Sequence, residues 1–184
     1  MLESVIECNT MKKNLKKIKL ILLDVDGVLT DGRIIKGSNG FEILEFHVHD
    51  GVGIVLAKKA GYLVGIISGR DSEIIHERGA YLGVDEIYTN VFYKIEPYKK
   101  ILEKYNLTDD EVCYMGDELL DLPLLERVGF SVAVSNAISD VKKNVDYVTK
   151  APGGQGAVRE VIDLILDKTG KKKKLIETIL TKKT

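Results

Sequence analysis

Residues 18 to 31 read IKLILLDVDGVLTD, an aliphatic run that leads directly into two carboxylates one residue apart. A nearly continuous apolar run is typical of a strand that is buried on both faces of a parallel sheet. Asp24 and Asp26 should then lie at the carboxyl end of this strand, where open parallel sheets place their ligands. Gly27 follows them and permits a sharp turn of the backbone.

The spacing of Asp24 and Asp26 predicts a metal ion. Two like charges about 4 Å apart repel by roughly 4 kcal/mol at an effective dielectric constant near 20. A divalent cation removes that repulsion, and Mg²⁺ prefers oxygen ligands. We therefore interpret this stretch as a nucleophile beside a metal site.

The composition limits the class of protein. The chain has 184 residues, 45% of them hydrophobic, which is the size and content of one domain. Its net charge of −1 favours neither nucleic acid nor an anionic membrane, and no run approaches the roughly 18 apolar residues of a membrane span. Cys8 and Cys113 have no metal or redox spacing, which predicts a cytoplasmic protein.

The order of segments predicts an α/β fold. From Gly51 onward, strand-like and helix-like segments alternate, which favours a three-layer, Rossmann-like, doubly wound and mostly parallel sheet with helices on both faces. The predicted later strands are residues 63–67, 86–89, 111–115, 130–134 and 147–148. We expect an extension at residues 1–17, one domain at 18–168 and a lysine-rich, solvated tail at 169–184.

A small β-hairpin flap is predicted directly after the first strand. Two strand-like runs, residues 33–36 and 41–49, flank the turn sequence Gly-Ser-Asn-Gly. His47 and His49 alternate with apolar residues in the second run. They are candidate zinc ligands, but two ligands do not close a tetrahedral site, so the alternative is a solvated or substrate-facing strand edge.

The remaining chemistry follows the strand ends. Residues 68–70 read Ser-Gly-Arg, Lys94 precedes a predicted helix, and residues 116–121 read GDELLD. In a parallel sheet these groups should gather with Asp24 and Asp26 along one edge. The set as a whole suits phosphoryl transfer.

Each residue type at this edge has a predicted role. Asp24 can attack phosphorus to form an aspartyl-phosphate, and Asp26 can protonate the leaving alkoxide and then deprotonate water. Mg²⁺ would be held by Asp24, Asp117 and a backbone carbonyl, which we assign to Asp26. Ser68 and the Gly69 amide can bind phosphate oxygens. Lys94 supplies positive charge, and Asp121 can orient it.

These motifs resemble those of the haloacid dehalogenase-like phosphohydrolases. DVDGVLT at residues 24–30 matches the first motif, Ser68 the second, Lys94 the third and GDELLD the fourth. Within that superfamily, residues 18–168 are similar to the 3-deoxy-D-manno-octulosonate 8-phosphate phosphatase family. The similarity includes HDGVGI at residues 49–54 and GGQGAVRE at residues 153–160.

The resemblance implies a Mg²⁺-dependent sugar phosphatase of the cell-surface polysaccharide (lipopolysaccharide) pathway. It implies no separate cap domain and a homotetramer in which neighbouring subunits close the site. The residues assigned to substrate binding are Thr30, Gly69, Arg70 and Gln155. Arg70 is the candidate partner of the substrate carboxylate.

Three departures leave the substrate open. The family usually has arginine at the position of Gln155, commonly a basic residue at His49, and frequently aspartate at Glu118. A phosphatase of nine-carbon, sialic-acid-type sugar phosphates is therefore an alternative. From other classes, a phosphoacceptor receiver and a catalytically silent domain also remain.

Overall fold

The computed structural model describes residues 13–181, and it contains a six-stranded parallel sheet and a separate two-stranded antiparallel hairpin. The strands are β1 Leu20–Leu23, β2 Ile35–Lys36, β3 Glu42–Ile43, β4 Leu63–Ile67, β5 Glu86–Tyr88, β6 Val112–Gly116, β7 Phe130–Ala133 and β8 Tyr147–Val148. The sheet order is β5-β4-β1-β6-β7-β8. The predicted α/β class is confirmed.

Helices connect and flank the strands. They are α1 Val48–Lys59, α2 Glu73–Leu82, α3 Ile95–Tyr105, α4 Leu122–Leu125, α5 Ser139–Lys143, α6 Ala157–Lys168 and α7 Lys171–Thr181, with 3₁₀ turns at Leu15–Lys17, Asp109–Glu111 and Leu119–Asp121. The only strands inserted between β1 and β4 are those of the β2–β3 hairpin, so this part of the described chain holds no cap domain.

The sheet changes winding direction at β1. The chain runs from β1 through β4 to β5 on one side, and β6, β7 and β8 fill the other side. Ligands of doubly wound sheets bind at this switch point. The four leucine and isoleucine side chains of β1 are completely buried because both faces are covered, which fixes the position of the following carboxylates.

The start of α1 corrects one prediction. We predicted a strand over residues 41–49, but β3 ends at Ile43 and α1 begins at Val48, so His47 and His49 do not share a strand face. The physical reason is Asp50, whose carboxylate accepts hydrogen bonds from the backbone N–H groups of Gly156 (3.1 Å) and Arg159 (2.8 Å) at the start of α6. A helical turn at residues 48–51 places the Asp50 carboxylate within hydrogen-bond distance of the start of α6.

The two ends of the described chain pack against the domain. Residues 1–12 of the predicted extension lie outside the described residues. In the rest of the extension, residues 13–17, Leu15 is buried. The predicted tail forms α7, with Leu175 packed against the core and Lys172 2.8 Å from Asp167. The domain boundaries stay a prediction. No helix within residues 13–181 has the length and apolar character needed to span a membrane.

Candidate active site

A buried lysine joins the ends of β1 and β6. Lys94, the N-cap of α3, is 5% exposed, and its Nζ lies 2.9 Å from Asp24 Oδ2 and 2.6 Å from Asp121 Oδ1. Nζ also donates to the hydroxyl of Tyr114 at 3.0 Å. Burial by itself lowers the pKa of Lys94, but the charges of Asp24 and Asp121 outweigh it and raise that pKa. The lysine is therefore a permanent cation.

Asp121 uses all of its hydrogen-bonding capacity within the protein. Its Oδ1 accepts from Lys94 and from the Tyr114 hydroxyl (2.5 Å), and its Oδ2 accepts from the backbone N–H groups of Asp117 (2.9 Å) and Glu118 (3.1 Å). A carboxylate offers about four lone-pair sites, so none is left for a metal. This geometry is the one that the predicted orienting role of Asp121 requires.

The Asp117 carboxylate faces Asp24 without a hydrogen-bond donor from the described residues. Ligand atoms of Asp24, Asp117 and Asp121 all lie within 4.8 Å of one another. Gly27 makes this approach possible: its φ is +79°, and a Cβ at that position would collide with the Asp117 carboxylate. Asp24 and Asp117 are therefore the two carboxylates with capacity to bind a cation.

The electrostatics of this cluster favour a divalent cation. Burial, reinforced by the charges of Asp24 and Asp121, raises the pKa of Asp117 to about 7. Burial also raises the pKa of Asp24 to about 7, although Lys94 acts in the opposite direction. Three carboxylates around one ammonium leave two negative charges when all are ionised. The donor set fits Mg²⁺, which prefers carboxylate oxygens.

Asp26 and Arg70 form a bidentate ion pair across the mouth of the site. Arg70 Nε lies 2.9 Å from Asp26 Oδ2 and its NH2 lies 2.7 Å from Asp26 Oδ1. Its NH1 donates to Glu42 of the hairpin at 2.8 Å, and Glu42 also accepts from the Ser72 hydroxyl at 2.7 Å. The guanidinium predicted to bind substrate is thus already shared between two protein carboxylates.

The predicted phosphate-binding residues follow β4, the strand next to β1. Ser68 is fully buried, and its Oγ accepts the backbone N–H of Arg70 at 3.1 Å. Among residues 13–181 this hydroxyl donates no hydrogen bond, and Ser68 lies beneath the pocket lining rather than in it. Gly69 lines the pocket.

Two predicted substrate-binding residues lie apart from the pocket lining. The Thr30 hydroxyl is buried; it donates to the Val25 carbonyl at 3.3 Å and accepts the Gly32 N–H at 3.2 Å. Gln155 is exposed, in a loop whose neighbour Gly154 donates to the Val28 carbonyl. Their role as substrate ligands stays a prediction.

A pocket of about 590 Å³ lies at the carboxyl edge of the sheet, beside Asp24, Lys94 and Asp117. That volume lies within the range of small-molecule sites. Its lining includes Asp24, Asp26, Gly69, Arg70, Lys94 and Asp117 together with Ile34 and Lys36 of the hairpin segment and Phe92 and Leu120. Ile34 and Phe92 are 66% and 60% exposed, so the mouth of the pocket is apolar and open.

The comparisons with known proteins agree with this geometry. A family model for haloacid dehalogenase-like hydrolases matches residues 80–162. The 3-deoxy-D-manno-octulosonate 8-phosphate phosphatase of Escherichia coli K12 is 44% identical over 156 residues, which are 85% of this chain and 83% of that protein. The chain belongs to this phosphatase family.

Solved structures of the family share the fold. The enzyme of Moraxella catarrhalis, crystallised with magnesium, phosphate and a KDO molecule, is 35% identical with a TM-score of 0.89, covering 94% of this chain and 98% of its own. The cobalt-bound Haemophilus influenzae enzyme is 40% identical with a TM-score of 0.82, covering 85% and 92%.

Tyr114 is a residue of this site that the sequence did not predict. Tyr114 donates to Asp121 and accepts from Lys94, but it lies within the apolar strand β6. A single hydroxyl among buried aliphatic residues was the only signal, because a fully buried tyrosine needs a polar partner.

The saturated carboxylate of Asp121 predicts a large effect on stability. Asp121→Ala should lower the free energy of unfolding by about 3 kcal/mol, because it leaves a buried ammonium and two backbone N–H groups short of a partner. Tyr114→Phe, the matched control, removes one hydrogen-bonding hydroxyl and should cost about 1 kcal/mol. Urea unfolding followed by circular dichroism measures both. Equal losses would contradict the central position of Asp121.

The raised pKa values of Asp24 and Asp117 predict a pH dependence of the metal-free protein. Both carboxylates titrate near 7 in the folded state and near 3.8 without the protein environment. Between these values the folded state binds more protons than the unfolded state, so stability falls as the pH rises from about 4 to about 7.

Urea unfolding in EDTA at a series of pH values measures this slope. In Asp117→Asn one of the two groups no longer titrates, so the slope in this window should be smaller. The same slope in both proteins would show that Asp117 does not titrate in this way.

Proposed function

We propose that the protein hydrolyses a phosphorylated 2-keto-3-deoxy sugar acid, with 3-deoxy-D-manno-octulosonate 8-phosphate as its substrate, through an aspartyl-phosphate on Asp24. The observation that carries the proposal is Lys94, buried between Asp24 and Asp121, while the Asp117 carboxylate beside them accepts no hydrogen bond from residues 13–181. Membership of the phosphatase family and the KDO-containing relative support the substrate.

Asp24 is suited to attack phosphorus. It follows a fully buried strand, its Oδ1 accepts the backbone N–H of Val25 at 2.7 Å, and its Oδ2 faces Lys94. These contacts fix the rotation of the carboxylate, and positioning of this kind contributes much of the rate in phosphoryl transfer. Lys94 would supply positive charge beside the phosphate, and the Ser68 hydroxyl and the Gly69 N–H would bind its oxygens as negative charge develops on them.

Asp26 is suited to proton transfer. It lines the pocket two residues beyond the nucleophile, and Arg70 holds both of its oxygens. In the first step the acid form of Asp26 donates a proton to the leaving alkoxide. In the second step the carboxylate removes a proton from the water that attacks the aspartyl-phosphate. Arg70 positions the carboxylate form through both oxygens, and it would keep its hydrogen bond to the unprotonated oxygen of the acid form.

Asp24 and Asp117 would hold Mg²⁺ through their carboxylates, with the Asp26 carbonyl as the predicted third protein ligand. The bound ion supplies the charge that lets an anionic nucleophile approach an anionic phosphate. Mg²⁺ keeps several waters, so two or three protein ligands suffice. Lys94 and Asp121 remain in place as the fixed charges around it.

We also propose a homotetramer in the cytoplasm. The hairpin segment and the start of α1 expose Ile34, Ile35, Phe41, Val48 and Val52, each at least 44%. Apolar side chains grouped in this way typically mark an interface. Covering the pocket mouth with a neighbouring subunit would exclude bulk water from the reaction.

The proposed chemistry predicts the response of activity to two substitutions. Asp24→Asn should abolish phosphate release because the amide cannot attack phosphorus. Asp26→Asn should lower kcat by about 10² to 10⁴ because the proton transfer is lost. EDTA should stop turnover and added Mg²⁺ should restore it. Colorimetric phosphate release measures all three.

A substrate panel separates the candidates within the same assay. It contains the octulosonate 8-phosphate, a nine-carbon sugar acid phosphate, hexose phosphates and p-nitrophenyl phosphate. The first should give the highest kcat/KM. A higher value for the nine-carbon compound would replace the proposed substrate, and full activity of Asp24→Asn would refute the proposed nucleophile.

The exposed apolar hairpin predicts the effect of a charge on assembly. Size-exclusion chromatography with light scattering should give four times the chain mass. Phe41→Glu should lower that mass and the activity together, because the charge would be buried in the interface. Ile179→Glu is the matched control, since Ile179 on α7 is similarly exposed (52% against 57%). A monomeric wild-type protein would contradict the tetramer.

A further inference from the structure

We infer that Lys36, on the hairpin, binds the carboxylate of the sugar acid and thereby determines substrate specificity. This inference rests on the proposed function and deepens it, since it assigns the part of the substrate most distant from the phosphate. It also differs from the sequence-based prediction, which gave that carboxylate to Arg70.

With Lys94 at the phosphate end, the pocket lining offers two candidate cations for the substrate carboxylate, Arg70 and Lys36. Lys36, Arg70 and Lys94 are the basic residues in the lining formed by the described residues, against six carboxylates: Asp24, Asp26, Asp71, Asp117, Glu118 and Asp121. Lys94 is buried between two of these. A substrate with both a phosphate and a carboxylate needs a second cationic site in this acidic pocket.

Arg70 is poorly suited to be that second site. Its side chain is 9% exposed, and Nε, NH1 and NH2 all donate to Asp26 or Glu42. The pairing with these carboxylates raises the pKa of Arg70 further, despite its partial burial. Binding a third carboxylate would require Arg70 to release Asp26 or Glu42. Releasing Asp26 would misplace the group proposed for proton transfer.

Lys36 is free of this constraint. Its side chain is 66% exposed, and its Nζ lies 3.9 Å from Glu42 Oε1, beyond hydrogen-bond distance. That oxygen already accepts from Arg70, and the other oxygen of Glu42 accepts from Ser72. An exposed ion pair at this distance contributes little, so a substrate carboxylate can displace it at low cost.

The location of Lys36 matches the chemistry of the substrate. In an octulosonate 8-phosphate the carboxylate is carbon 1 and the phosphate is on carbon 8, so the two anions lie at opposite ends of the sugar. With the phosphate at Asp24 and Lys94 inside the pocket, the carboxylate would extend toward the mouth. Lys36 lines that pocket from the hairpin, in register with Glu42 on the paired strand.

The test compares two substrates in steady-state kinetics. For each protein, kcat/KM is measured for the octulosonate 8-phosphate and for p-nitrophenyl phosphate, which has no carboxylate. In Lys36→Gln the ratio of the two values should fall about tenfold, mainly through a higher KM for the sugar acid, because a charge-assisted hydrogen bond is lost. Lys36→Arg should restore most of the ratio.

Arg33→Gln is the matched control. Arg33 precedes the same hairpin and is 82% exposed beside Asp31, but it does not line the pocket. Its ratio should equal that of the wild type. An unchanged ratio in Lys36→Gln, or the same loss in Arg33→Gln, would overturn the role of Lys36 while leaving the phosphatase assignment intact. A wild-type enzyme inactive on the sugar acid phosphate would overturn both.

Discussion

The ion pairs of Lys94 with Asp24 and Asp121 are the interaction on which the site depends. They connect three segments that are distant in sequence: the end of β1, the start of α3 and the turn after β6. A buried lysine stays charged only with compensating charges, and two carboxylates at 2.9 and 2.6 Å supply them. The same contacts set the direction of the proposed nucleophile, so one set of ion pairs both joins the sheet edge and positions the site.

This arrangement explains why the site has an excess of negative charge. Asp24 and Asp121 already share one cation, and Gly27 brings Asp117 against them. Burial and mutual repulsion raise the pKa of both Asp24 and Asp117, which disfavours full ionisation of the metal-free cluster. A dication would balance the two negative charges that remain after Lys94 is counted. The negative charge of the cluster therefore favours the binding of a divalent cation.

Much of the fold was predictable because the strongest signals were local. The aliphatic run of β1 and the strand at 63–67 are each continuous and buried. Candidate catalytic residues directly follow these two strands. The contact of Lys94 with Asp121 also followed from strand-end positions in a parallel sheet. The histidine segment failed because alternation over a few residues fits a strand, while the helix there depends on Asp50 reaching residues 156 and 159. The engagement of Arg70 by Glu42 was equally non-local.

The β2–β3 hairpin connects the proposed proton-transfer group to the mouth of the pocket. Glu42 of β3 is held by Arg70, which also holds Asp26, so the hairpin is tied to the proposed proton-transfer group. The same short element presents Lys36 to the pocket and apolar Ile34 at its mouth. A neighbouring subunit that covers Ile34 would lower the local dielectric around Lys36 and strengthen its attraction for an anion. Assembly and substrate selection would then depend on one small, locally tethered segment.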